Sequence, residues 1–442
     1  EWLHKMQNPD GSVYHKVDTE PNFAWGTAPD LDPHTRTAKP QGLGSTQFST
    51  IDASVFCAVN AQAYRIFGAI DPAFAAKCST AAKAAWDWLD AGPKTGQADP
   101  YYTDSQYWQE LMWAQAEMFT LTGDIAYSNA FEAQVDSRTF SYPNWTDTQF
   151  FAYMAVYFNT NTAQPLKDKI KTKVLAAANA WRSSSNAGGY RVALGPTEYW
   201  WGSVSTVMGR GNVFIFAYLM TDDESWLDYA LYQLDYMSGV NALEQMFYTG
   251  HGTKKNENPY HWSKMVYNNP LPGWCTGGPN PLPTGADGPL IALQNEGTPA
   301  QKCWLDLCAS NGSWASNEGT TDQNAHLVFL SGFFFSEVTG GQGTGVPADN
   351  LDNVWHYPSP INMLDGDTGV TFNNLKDYTK LQVFNLSGGL VYSINTETPE
   401  GTLTWNLANR PKDKIIAPGL YVYVITDRDN NEYSRGKIAI IR

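Results

Sequence analysis

From about residue 45 to about residue 240, apolar positions recur at helical spacing and are interrupted by Gly, Pro and Asp. The spacing predicts helices over 51–67, 72–89, 105–122, 126–135, 146–158, 165–183, 206–219 and 226–236. Breaks fall at Gly68 and Pro72, at Gly92-Pro93 and at Gly123-Asp124. Helices paired in sequence predict an α-solenoid closed into a toroid. Each helix then buries one apolar stripe, and the loops at one end gather as a cleft. Periodicity fails over 239–317, a stretch holding Gly250-His-Gly-Thr-Lys254, Pro259-Tyr-His-Trp262 and Leu271-Pro-Gly-Trp274. Irregular segments this long are usually functional. One more helix is predicted over 323–337. A stretch rich in Gly, Pro and Asp over 339–352 then reads as a linker. Beyond it the period changes to two, with strands over 380–386, 390–394, 402–407, 419–426 and 436–441. About seven strands in roughly 85 residues describe a small immunoglobulin-like sandwich. The expected fold class is therefore mainly α, with a helical domain over 1–338, a linker over 339–356 and a β-sandwich over 357–442.

Composition narrows the function classes. Charged residues make up 17 % of the 442 and aromatic residues 14 %, including 17 Trp. Such an excess of flat rings suits a sugar cleft, where apolar C–H faces stack; packing between helices is the ordinary use of the same rings. The net charge of −15 argues against nucleic acid and anionic membrane surfaces, and a neutral polysaccharide is compatible with it. No apolar run approaches the roughly 20 residues of a membrane span. Five cysteines are too scattered for a disulfide scaffold; Cys57 with Cys78, and Cys303 with Cys308, are the pairs an oxidising compartment would allow.

The chemistry concentrates at Glu318. It follows Trp314 and precedes the apolar run Leu327-Val-Phe-Leu-Ser-Gly-Phe-Phe-Phe335. A carboxyl held against apolar surface keeps its proton towards neutral pH, and a glycosidase needs that proton for the departing glycosidic oxygen. An ordinary Glu at the start of a core helix is the competing reading. Trp200 and Trp201 are candidate stacking rings, Trp314 a further candidate ring for substrate, and His251 and His261 candidate partners for sugar hydroxyls, with structural loop or packing roles as the alternative.

Residues 1–338 resemble glycoside hydrolase family 9, mostly β-1,4-glucanases on an (α/α)6 barrel. The resemblance is carried by Trp2-Leu-His-Lys-Met-Gln7, by Glu110, Trp113-Ala114 and Glu117 before Thr122-Gly-Asp124, and by Tyr199-Trp-Trp-Gly-Ser203. It continues through Leu234-Asp-Tyr-Met-Ser-Gly-Val-Asn241 and through Trp314 to Ala325, where Glu318 takes the general-acid position. The C-terminal residues resemble the flagellar-hook-cap type of immunoglobulin-like module, through Leu381-Gln-Val-Phe-Asn385, Trp405 and Gly436-Lys-Ile-Ala-Ile-Ile-Arg442. Such modules often end secreted bacterial enzymes. The resemblance implies an inverting hydrolase of cellulose or a related β-glucan, secreted and monomeric, requiring no cofactor and compatible with a structural Ca2+.

Three departures qualify it. The family's base lies on an Asp-Ala-Gly-Asp motif that does not occur in these 442 residues, so the base is expected upstream of residue 1 and the first barrel helices with it. The Pro-His-x-Arg pattern becomes Pro259-Tyr260-His261-Trp262, placing Tyr260 and Trp262 at the family's His and Arg positions. Three extra residues separate Asp306 from Trp314. By residue type Asp30, Asp32, Asp99, Asp104 and Asp322 are internal candidates for the base, but each reads first as a helix cap or loop turn. The rival expectation is a non-catalytic or altered-specificity glycan-binding relative.

Overall fold

A computed structural model describes residues 1–20, 24, 27–28, 30–42, 45–99, 102–282, 285–338, 346–357, 361–362, 368–385, 389–407, 416, 419–431 and 433–441. Glycine-rich 340–345 lies outside the described residues. The chain divides into two units, Glu1–Leu330 and Ser331–Arg442.

The first unit is built from helical hairpins: α1 (Thr50–Phe67) with α2 (Pro72–Ala91), α3 (Trp108–Thr122) with α4 (Ile125–Ser137), α5 (Gln149–Phe158) with α6 (Gln164–Ala187), and α7 (Ser203–Thr221) with α8 (Ser225–Met237). Local chemistry starts and stops them. Ser49 accepts from Asp52 N to cap α1, Asp71 caps α2 with Pro72 in the first turn, and Gly123 in the left-handed region ends α3. α3 packs on both α1 and α5, so these three form an inner layer, while α2, α4, α6 and α8 each pack beside a neighbouring odd-numbered helix. α7 is buried almost all round, and Gly211 on it sits against Leu330 of α12 (Thr321–Val338). This is the layered hairpin arrangement of an (α/α)6 toroid. Arg65 of α1 and Glu117 of α3 make a two-nitrogen ion pair across the inner layer, the closer contact 2.6 Å.

The structure differs from the sequence expectations at several places. The helix expected from 105 begins at Trp108, because Asp104 is held in a bridge with Gln97 and turns the chain by accepting from Gln106 N at 2.8 Å. The helix expected from 146 begins at Gln149, because Asn144 and Asp147 exchange backbone hydrogen bonds. The hairpin of β1 (Lys16–Glu20) with β2 (Thr35–Lys39) has no apolar alternation to announce it. Among its described residues the irregular 239–317 stretch contains three short α-helices, α9 (Trp262–Tyr267), α10 (Gly288–Asn295) and α11 (Trp314–Asn317), and a 3-10 turn at Ala300–Lys302. All five cysteines are free; Cys78 packs its sulfur near His4, and Cys303 donates to Thr298 O, so neither expected disulfide is present.

In the second unit, β3 (Trp355–Tyr357), β5 (Gly369–Asn373) and β8 (Thr402–Asn406) form one antiparallel sheet in the order β3-β5-β8. β4 (Ile361–Asn362), β6 (Tyr378–Asn385), β7 (Leu390–Glu397), β9 (Gly419–Thr426) and β10 (Tyr433–Ile441) form another, ordered β4-β10-β9-β6-β7. Only the β4–β10 pairing is parallel among the described strands. Trp405, Phe372, Leu381, Val383 and Ile438 fill the space between the sheets. The described part of the expected linker over 339–356 packs on this sandwich. Leu351 is buried in this core, Ala348 N bonds Leu375 O, and β3 begins at Trp355.

Candidate active site

Glu318 is the residue that terminates the one-turn helix α11, in extended backbone with its N–H on Trp314 O. Four interactions fix that turn. Asp287, itself buried, accepts Leu290 N with one oxygen and Ala315 N with the other at 2.9 Å, so it caps α10 and holds α11 together. Asn317 is fully buried; its amide donates to Asn258 O at 2.6 Å and accepts from Asn256 Nδ2 at 2.8 Å. Tyr260 N bonds Asn317 O, pairing the 256–260 loop alongside the acid. Asp306 in turn receives Glu257 N and Asn258 N, which anchors that loop. Immediately beyond, a Cβ on Gly319 would lie 1.8 Å from Cys275 O, so the chain passes there only without a side chain.

Glu318 lines a cavity of about 580 Å³ together with Trp274, His261, Tyr102, Trp145 and Glu110. Burial alone pushes the Glu318 carboxyl up to about 7. At neutral pH it therefore holds a proton for a large part of the time. Its apolar neighbour in the cavity is Trp274, whose indole N–H is buried without a hydrogen-bond partner among the described residues.

His261 caps α9 by accepting Ser263 N at its Nδ1, 3.1 Å away. The neutral ring must then carry its proton on Nε2, and burial, which lowers its basicity, keeps it neutral. Its ring centroid is 4.5 Å from that of Trp274. The pair offers one N–H donor and one aromatic face beside the acid. Tyr102 and Trp145 are half-exposed and meet edge to face at 5.9 Å on the same cavity.

The other expected residues fall elsewhere. Trp314 and Trp201 pack on each other at 5.2 Å, and Trp314 leans on the small cluster of Leu290, Cys303 and Ala315. Neither they nor Trp200 line the cavity. Trp262 donates its indole N–H to Thr27 O at 2.8 Å, which ties α9 to the 27–28 loop. Tyr260 contributes its backbone pairing, and burial followed by the Glu318 charge pushes its hydroxyl up. His251 is exposed on the loop beside Tyr248 and is not among the cavity's lining residues.

The candidate bases are engaged locally. Asp30 accepts from Tyr267, Asp32 from His34 N and Asp99 from Lys16. Asp104 and Asp322 do line the cavity, but Asp104 accepts from Gln106 N and Asp322 bonds Thr320 and Ser205. Sequence reasoning passed over Glu110 as a cavity residue. It stands in the first turn of α3 and lines the same cavity. Burial pushes it up to about 8, and its Oε2 has no hydrogen-bond partner among the described residues. The available signal was a Glu set among Trp108, Leu111, Met112 and Trp113 at the start of this helix. No group of three or more His, Cys, Asp or Glu among the described residues is placed to hold a metal ion.

The sequence profile described as "Glycosyl hydrolase family 9" matches residues 1–331. The chain belongs to glycosyl hydrolase family 9. Among curated proteins it is similar to a cellulose 1,4-β-cellobiosidase of Acetivibrio thermocellus, 27 % identical over 73 % of this chain and 39 % of the relative. It is also similar to a xyloglucan-specific endo-β-1,4-glucanase of Bacteroides ovatus, 28 % identical over 75 % of this chain and 58 % of that one. The structure of a thermostable endoglucanase from Alicyclobacillus acidocaldarius superposes with a TM-score of 0.68 at 26 % identity, over 74 % of this chain and 62 % of the other. The chain spans about half the length of the curated relatives it matches, 39 %, 51 % and 49 % of the first three. No described helix is long and apolar enough to cross a membrane.

If the Asp287 bridge positions Glu318, Asp287→Asn should lower any turnover that depends on Glu318 several-fold, with little change in KM. The amide retains one acceptor, while Ala315 N or Leu290 N loses a charged partner worth about 1.5–3 kcal/mol. An unchanged kcat in a correctly folded variant would remove Asp287 from the positioning of Glu318.

Proposed function

We propose that this chain takes part in the hydrolysis of β-1,4-glucosidic bonds in cellulose or a related β-glucan by inversion, with Glu318 as general acid. The observation carrying the reading is a carboxyl pushed up to about 7 inside an aromatic-lined cavity. Protonated Glu318 donates to the glycosidic oxygen as the bond breaks. On the opposite face an inverting enzyme needs a carboxylate roughly 6.5–9.5 Å away to activate water. We assign that role to none of the described carboxylates, since those on the cavity are tied into local turns or, in Glu110, hold their proton. Tyr102, Trp145 and Trp274 supply ring faces for sugar units, and His261 Nε2–H supplies a hydroxyl partner. The polymer is too large to enter a cell, so the reading carries with it a secreted enzyme; a bacterial source and a monomeric state rest on the family resemblance alone.

The test is release of reducing sugar from soluble β-glucan across pH. The acid must be protonated to act, so activity should fall as pH rises through about 7, following the Glu318 carboxyl. A rate that holds steady well above that point would exclude Glu318 as the donor. A second reading, a glycan-binding relative without turnover, is favoured by the lack of an assigned water activator. Oligosaccharide binding with no release of reducing ends would establish it.

A further inference from the structure

The sequence gives the C-terminal sandwich no evident aromatic platform, yet its three-stranded sheet carries one. Alternation along β3 buries His356 and turns Trp355 and Tyr357 to the outer face. Their rings lie nearly parallel, 27° apart with centroids at 5.7 Å, and Tyr357 is 48 % exposed. The register extends this pair into a strip. Tyr357 stands opposite Thr371, which stands opposite Thr404, and the two hydroxyls bond each other at 2.9 Å. Trp355 stands opposite Asn373 and that opposite Thr402, but Asn373 is buried, so the exposed hydroxyl row beside the rings is Thr371 and Thr404. Behind the face, Phe372 and Trp405 are fully buried, so the strip rests on a packed layer.

We propose that this face is a second carbohydrate-binding site, taking a neutral β-glucan chain. No charged residue occupies these outward positions, although the protein as a whole carries −15. That excludes polyanions by lack of counter-charge and polycations by lack of carboxylates on the strip. What remains is a ligand with apolar faces and a hydroxyl rim. A pyranose laid on the Trp355–Tyr357 rings brings its equatorial hydroxyls towards the Thr371–Thr404 row, and successive sugars of a flat polymer extend along it. The choice of a glucan over another neutral polysaccharide rests on the hydrolase reading of the helical unit. The site itself does not need Glu318. Its role is to hold the polymer, raising the local concentration of chain ends and loops for a second site on the same molecule.

The experiment is affinity electrophoresis of the full chain through gels containing hydroxyethylcellulose, with reducing-sugar release measured on the same samples. Trp355→Ala/Tyr357→Ala should bind about tenfold more weakly than the parent, as expected for removing two ring–sugar contacts. Its turnover of a short soluble oligosaccharide should be unchanged. Thr404→Glu, which leaves both rings in place and puts a charge on the strip, should weaken retardation as well, and it guards against misfolding of the double variant. Retardation equal to the parent in both variants overturns the proposal, even where hydrolysis is normal. Ring-dependent retardation in a chain that releases no sugar keeps this site and removes the hydrolase reading.

Discussion

Glu318→Gln should lower sugar release by about 10²–10⁴-fold while leaving oligosaccharide affinity within a few-fold of the parent. Gln matches the shape of the protonated acid and preserves the hydrogen bonds of a neutral carboxyl, but it has no proton to give. The surrounding frame is indifferent to the change. α11 is held by Asp287, Asn317 and the 256–260 loop through backbone and amide groups, none of which uses the Glu318 side chain. A loss of affinity as large as the loss of rate would mean that the residue binds ground state and transition state alike. Retention of most of the activity would remove it from the acid role.

Raising the pH should destabilise the helical unit, and Glu110→Gln should abolish much of that dependence. Glu110 is raised by burial from an ordinary Glu value to about 8 in the folded chain. A raised acid contributes its full stability below its unfolded value. Above that value the unfolded chain ionises freely while the folded one resists, so stability falls until pH passes about 8. The loss is on the order of a few kcal/mol for a shift of this size. The variant carries no ionisable group there. Its melting temperature should match the parent near pH 5 and exceed it by several degrees near pH 9. Parallel curves for the two proteins across that range would place the ionised carboxylate in a solvated or paired environment instead.

Helix positions were legible because each inner helix writes its apolar stripe directly into the sequence. Their starts were less so: Asn144 to Asp147 and Asp104 form tight turns through hydrogen bonds that leave no periodic trace. The β1–β2 hairpin is paired through its backbone, and neither strand carries an apolar alternation. At the site, Glu318 could be read from its surroundings in sequence, since Trp314 and the following apolar run lie close along the chain. The cavity's aromatic walls could not. Tyr102, Trp145 and Trp274 come from three separate loops, and only the closure of the helical array brings them to one cavity. Trp200 and Trp201 show the converse. Adjacent tryptophans suggested stacking platforms, yet Trp201 uses its face on Trp314. In the sandwich, the alternation of β3 was hidden because Trp355-His-Tyr357 is only three residues long and sits at the edge of a segment read as linker.

The tight passage at Gly319 has a practical corollary for any saturation screen. Even alanine would drive a methyl group into the Cys275 carbonyl, so nearly every exchange at 319 should score as inactive, as would most at 318. Two adjacent columns of dead variants would then look alike, one emptied by chemistry and the other by crowding. Thermal shift measured beside the activity score separates them, because the crowded column should melt early and the isosteric exchange at 318 should not.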